Sequence, residues 1–372
     1  MTRTGLSRIS IVIPTYKRPL FVLRQYRYWR DTDAQVVVLD GSPQPLVIPE
    51  TLRSANLRYV HSGKSFVERL KSASQYVLTP YCIMLGDDEF LTYSGLRAAI
   101  KRLDDDHSII GCVGRCLYFF VDQERFLLAD AYREWKSFSQ GTIDQRNRLD
   151  EDLPPNKTHM AHYAIMRSRI WAQIMANAYE REFSCAYAYE RLVNLQRALH
   201  GKTEILENLL WFRSMENRNT YLSTSGGPDF LTWARSPRYA DEISVYRKMA
   251  RQLMLNAGVN PVDVSTFEER WFTVGVKLTV LRKSTFKARF RRWFRPRLFR
   301  WTPKYLRLFA KRHVPNRLLR FTGWQGFGVD DTLNSLSDRS TYFDLAEIEF
   351  IRDLSIATAL DRDNLESESR AR

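Results

Sequence analysis

At 372 residues, 44% hydrophobic and 13% aromatic, the chain suffices for one large domain with an appendage or for two domains, and its composition excludes disorder along most of its length. No stretch approaches the ~18 uninterrupted apolar residues that a membrane-crossing helix needs, and the initial MTRTGLSRIS runs into a strand pattern without the apolar region of a secretory signal. The formal charge of +15 is local: residues 271–329 hold 16 Lys or Arg and no acid, which leaves 41 basic against 42 acidic residues elsewhere.

In chain order, ISIVIPTY (9–16), QVVVLDGS (35–42), LRYVHS (57–62) and YCIMLG (81–86) read as strands buried on both faces. Between and after them, residues 21–29, 65–77 and 93–103 have helical spacing. Such alternation predicts a doubly wound α/β sheet, which binds ligands beyond the carboxyl ends of its strands. Three strands end in polar residues that suit one ligand: Pro14-Thr15-Tyr16, Asp40-Gly41-Ser42 and Asp87-Asp88-Glu89. A carboxylate can accept the imide N–H of uracil, an aromatic ring can cover a base, and an acidic cluster can hold the divalent cation that neutralises a diphosphate. The plainer alternatives are a turn at Asp40 and helix capping by an acid. Thr92 and Ser94 lie nearer the next helix and are the better caps, so capping leaves the triplet unexplained. The four cysteines, Cys82, Cys112, Cys116 and Cys185, show no CxxC or framework spacing, which suggests reduced thiols in a cytoplasmic setting and no zinc site.

The succession IVIPTYKRP, VVVLDGS, ERL in a helix, then TPYCIMLGDDEF resembles the nucleotide-binding half of a family 2 type glycosyltransferase with the GT-A fold, over roughly residues 8–100. The resemblance implies a Rossmann-like, mostly parallel sheet flanked by helices, and transfer from a nucleotide-sugar donor. It assigns Pro14, Thr15, Tyr16, Arg18, Lys64, Arg69 and Asp87 to the donor, with Asp40 reading the base. It further implies Mn²⁺ or Mg²⁺ held by Asp88 and Glu89, although Glu stands where the family has its third Asp.

The following residues carry less pattern. Residues 108–120 read as a long strand and 131–159 as an irregular loop, of a length expected only where function requires it. His159 and His162 are candidate acceptor contacts or a structural pair. A helix over 188–200, stopped by Gly201, precedes a strand through 211. Near that helix's start, the resemblance implies an acidic general base, matched by Glu190, with Asp152, Glu180 and Glu182 as competitors. A Gln-x-x-Arg-Trp motif is missing, which points to a non-processive transferase.

The expected division is a catalytic domain at 1–225 and a mostly helical extension at 226–372 containing the basic aromatic segment. Within 284–312, Phe286, Phe290, Trp293 and Phe294 interleave at helical spacing with Lys287, Arg291, Arg292 and Arg295. That is the pattern of an interfacial helix on an anionic leaflet, and it carries no RNA-binding signature that would favour nucleic acid. The resulting expectation is an inverting, metal-dependent transferase. It would work in the cytoplasm, peripherally on the inner membrane face, on an envelope glycan or lipid-linked acceptor. The alternatives are a nucleotidyltransferase, for which PTYKRPLF lacks the glycine-rich loop, or a non-catalytic membrane or nucleic-acid adaptor.

Overall fold

The computed structural model describes residues 4–122, 125–131, 149, 163–216, 227–284 and 342–371. Asp152, His159, His162, nearly all of the loop expected at 131–159 and nearly all of the segment 284–312 lie outside the described residues.

Among the described residues nine strands form one sheet. Its first half is parallel, in the order β3 (Leu57–His61), β2 (Gln35–Asp40), β1 (Ile9–Thr15), β4 (Tyr81–Met84). The Val- and Ile-rich runs of β1 and β2 are covered on both faces, as parallel strands require. The edge strand β3 departs from that expectation and is half-exposed along its length. Beyond β4 the sheet becomes mixed. β5 (Phe90–Leu91) runs antiparallel to β9 (Lys202–Ser214), which is parallel to β6 (Ile109–Asp122). β7 (Arg125–Asp130) folds back on β6, and β8 (Ile165–Arg167) joins β6 to β4, antiparallel to both. The doubly wound expectation therefore holds for β1 to β4 and gives way to this mixed half.

The helices follow the sequence periodicity, with one shortened. α1 (Pro19–Trp29) starts at a proline in its first turn. α2 (Phe66–Lys71) opens with a Ser65–Glu68 capping box but stops well before residue 77. Ser72 donates its hydroxyl to the Glu68 carbonyl at 2.9 Å, and the chain tightens into a 3₁₀ turn, Ala73–Tyr76. In α3 (Tyr93–Asp105) Thr92 caps the first turn, accepting from the Gly95 amide at 3.1 Å. α4 (Ser168–Ala178) packs on α5 (Ala186–His200). Gly201 caps the end of α5, where a Cβ would lie 2.6 Å from an Ile110 methyl.

The described residues after 226 are mostly helical: α6 (Phe230–Arg235), α7 (Ala240–Asn256), α8 (Pro261–Ser284) and α9 (Leu345–Ala371). Trp233 and Tyr246 pack edge-on against Phe183, Phe230 packs against Trp233 and Tyr246, and α9 lies along α1. Residues on both sides of position 225 share one apolar core, running from Leu6 through Trp171 and Trp233 to Ile351. No helix among the described residues is long and apolar enough to cross a membrane.

Candidate active site

Parallel pairing decides which residues meet. Register sets Thr15 beside Asp40 and Asp40 beside His61, so the ends of β1, β2 and β3 share one edge. The Leu85 amide continues the β4 pairing by donating to the Val12 carbonyl at 2.9 Å, which brings Asp87 to that same edge. There the Thr15 hydroxyl donates to Asp87 Oδ2 at 2.6 Å. Tyr16 follows, 40% exposed, with Lys17 Nζ 5.2 Å from its ring centroid. Thus Pro14, Thr15, Tyr16, Asp40 and Asp87 are brought together as the sequence suggests, while exposed Lys64 stands just ahead of α2.

Asp40 is 3% exposed. Its Oδ1 accepts from the Ser42 amide at 2.7 Å and hydroxyl at 2.5 Å, and its Oδ2 from the Tyr59 hydroxyl at 2.6 Å. Three of about four acceptor positions on the carboxylate are thereby used, and the turn pattern weighed in the sequence is present. Arg69 lies at the ends of the same strands. It is 6% exposed, and its Nη1 donates to the backbone carbonyls of Thr15 and Leu39, bracing two strand ends instead of facing outward. Gly41 permits this, since a Cβ at that position would meet the guanidinium at 2.5 Å.

The acidic triplet is clamped by the first helix and the residues leading into it. Arg18 donates through Nη1 to Asp87 Oδ1 at 2.5 Å and through Nη2 to Asp88 Oδ2 at 2.7 Å. Arg24 and Gln25 hold the triplet's backbone. Arg24 Nη2 donates to the Asp88 carbonyl at 2.7 Å, and Gln25 Nε2 to the carbonyls of Asp87 and Glu89 at 3.0 and 2.7 Å. Both side chains are fully buried, and Arg24 also pairs with Glu216 at 2.9 Å. The sequence reading missed them, although one helical face carries Phe21, Arg24, Gln25 and Tyr28 at the spacing of an inward stripe.

Burial pushes the Asp87 carboxyl up to about 7, against the lowering pull of Arg18. Glu89, expected as a metal ligand, turns instead toward β9. Its Oε2 accepts from the Trp211 indole at 3.0 Å, its Oε1 lies 3.8 Å from Arg213, and burial pushes it up to about 8. No group of three His, Cys, Asp or Glu side chains among the described residues is arranged to hold a metal. With both Asp87 oxygens and Asp88 Oδ2 engaged, and with Glu89 turned away, the triplet does not fit a divalent ion in this arrangement. The positive charge demanded by three consecutive acids is supplied here by Arg18.

Glu190 lies in the first turns of α5. Burial raises the Tyr163 phenol well above its ordinary value, and the nearby charges of Glu89, Glu190 and Asp88 add to the shift. Its ring lies against Trp211, 4.5 Å between centroids. The neighbouring Arg191 turns the other way, donating to the Trp271 carbonyl under the C-terminal helices. Tyr163 falls in a stretch whose sequence drew attention to its histidines, and only the folded neighbours reveal it. The site is thus a polar edge with an exposed aromatic ring and an arginine-bridged acid pair, a set suited to binding a nucleotide.

No family model matches the chain, and no curated protein matches it. Among solved structures, residues 1–349 of S. aureus TarS share 13% identity, covering 75% of this chain and 74% of that one, at a TM-score of 0.46. The same segment in complex with UDP-GlcNAc gives 15% identity, 75% of each chain and a TM-score of 0.49. S. aureus TarS itself gives 13% identity and a TM-score of 0.46 over 76% of this chain and 46% of that one.

Proposed function

We propose that the chain is a glycosyltransferase, moving a sugar from a nucleotide-diphosphate donor, a UDP-sugar, to a hydroxyl of an envelope glycan or lipid-linked acceptor. The observation that carries this reading is the meeting of Thr15, Asp40 and Asp87 beside exposed Tyr16 at the carboxyl edge of the parallel half-sheet. Tyr16 covers the base, and the remaining acceptor position on Asp40 takes the imide N–H. Glu190 takes the proton of the attacking hydroxyl as the new glycosidic bond forms and the bond to the diphosphate breaks, with inversion at the anomeric carbon. One sugar is transferred per encounter, and the basic segment 284–312 holds the enzyme peripherally on the inner face of an anionic membrane.

The test is incubation of the full chain with radiolabelled UDP-sugars, in EDTA and separately in Mn²⁺, following UDP release with and without acceptor lipid extract. Turnover is expected with at least one donor, and Glu190→Gln should lower it by about 10²- to 10⁴-fold with little change in UDP affinity. Absence of turnover with every donor in both conditions removes the transferase reading.

A further inference from the structure

We propose that Arg18 takes the place of a divalent cation at this strand end, so that a nucleoside diphosphate binds the chain without metal and meets the remaining N–H groups of the Arg18 guanidinium as its phosphate donors. The inference rests on the nucleotide-binding reading above.

Several features build Arg18 into its position. Lys17, at φ 56°, adopts the left-handed conformation that non-glycine residues seldom take, and its amide donates to Ser42 Oγ at 2.7 Å. That kink turns the chain back before Pro19 starts α1. Arg18 then lies with its guanidinium carbon 4.5 Å from the Phe21 ring centroid and spans two carboxylates, one nitrogen to each. Its side chain keeps 14% exposure at the ligand edge, close to the 16% of Asp88. Guanidinium is a planar donor fork suited to phosphate oxygens, and it has N–H groups beyond the two given to Asp87 and Asp88. An ion at the same place would have to break both bridges, and Glu89, its expected second ligand, is committed to Trp211.

The experiment measures UDP affinity by calorimetry on the full chain, first stripped with EDTA and then with added Mn²⁺. Dissociation constants within about twofold of each other are expected, since the phosphate donor is already in place. In EDTA, Arg18→Ala should weaken binding at least about tenfold, and Mn²⁺ should restore part of the loss because the freed carboxylates can then accept an ion. Strict dependence of the parent on Mn²⁺ overturns the inference and leaves the nucleotide reading standing; this arm requires no variant to fold. Unchanged affinity of a folded Arg18→Ala in EDTA overturns it as well. Absence of UDP binding in both conditions overturns the nucleotide reading itself, and the role of Arg18 with it.

Discussion

Glu89 is 6% exposed between Trp211 and Arg213, and burial raises its carboxyl to about 8. In the unfolded chain a glutamate titrates near about 4.3. Between these values the native state retains a proton that the unfolded chain has released, so stability falls as pH rises through the window. Asp87, raised to about 7, acts in the same direction. Urea midpoints should therefore decline from about pH 5 to about pH 8, and Glu89→Gln should flatten the decline and stabilise the protein at the upper end. A parent profile that climbs over this range, or a variant profile superimposable on it, contradicts the assignment. The same residues mark what was legible at this scale. Three adjacent acids after an apolar strand announce a compensating positive charge, but a sequence does not say whether that charge is an ion or an arginine. Choosing Arg18 required β1 and β4 to be neighbours, a fact of topology. Arg69 was legible only in part for a related reason: its helix was visible, but the two strand-end carbonyls to which it donates were not.

At the scale of elements, the link between α9 and α3 is the least visible from the sequence. Local signals for the start of α3 were readable, and Thr92 caps it as its position suggested. A second acceptor arrives from the far end of the chain. Glu347, 7% exposed, accepts from the amides of Tyr93 and Ser94 and from the Tyr28 hydroxyl. No sequence pattern connects residue 347 to residue 93, because the contact depends on α9 lying along α1. Removing the carboxylate leaves buried donors unmatched, so Glu347→Ala should cost about 1–3 kcal/mol in urea denaturation, with Glu347→Gln, which keeps an acceptor, costing less. Equal stability of all three proteins would show that the contact contributes nothing. The early end of α2 teaches the same lesson in miniature: apolar spacing continued past Ser72, but one hydroxyl returned to the helix's last carbonyls and stopped it.

For the whole molecule, alternation of strands and helices revealed the parallel half, where β1, β2 and β4 are largely apolar runs. The mixed half escaped because β5 and β8 are two and three residues long and owe their pairing to β9, β4 and β6. Charge is distributed as unevenly as this legibility. Outside 271–329 the chain is nearly neutral, whereas 284–312 alone carries eleven Lys or Arg interleaved with aromatic rings. Each such charge near an anionic leaflet contributes about 1 kcal/mol, decaying within a Debye length of roughly 8 Å at physiological salt. Burial of the aromatic rings in the interface adds a part that salt does not screen. The full chain should therefore float with vesicles containing anionic lipid, remain behind with neutral ones, and lose most but not all binding as ionic strength rises toward about 1 M, where screening shortens to roughly 3 Å. Replacing Arg291, Arg292 and Arg295 by Gln should reduce flotation, whereas replacing Phe290, Trp293 and Phe294 by Ser should remove the salt-resistant remainder. Equal recovery from anionic and neutral vesicles would mean that the basic segment serves something other than a membrane surface.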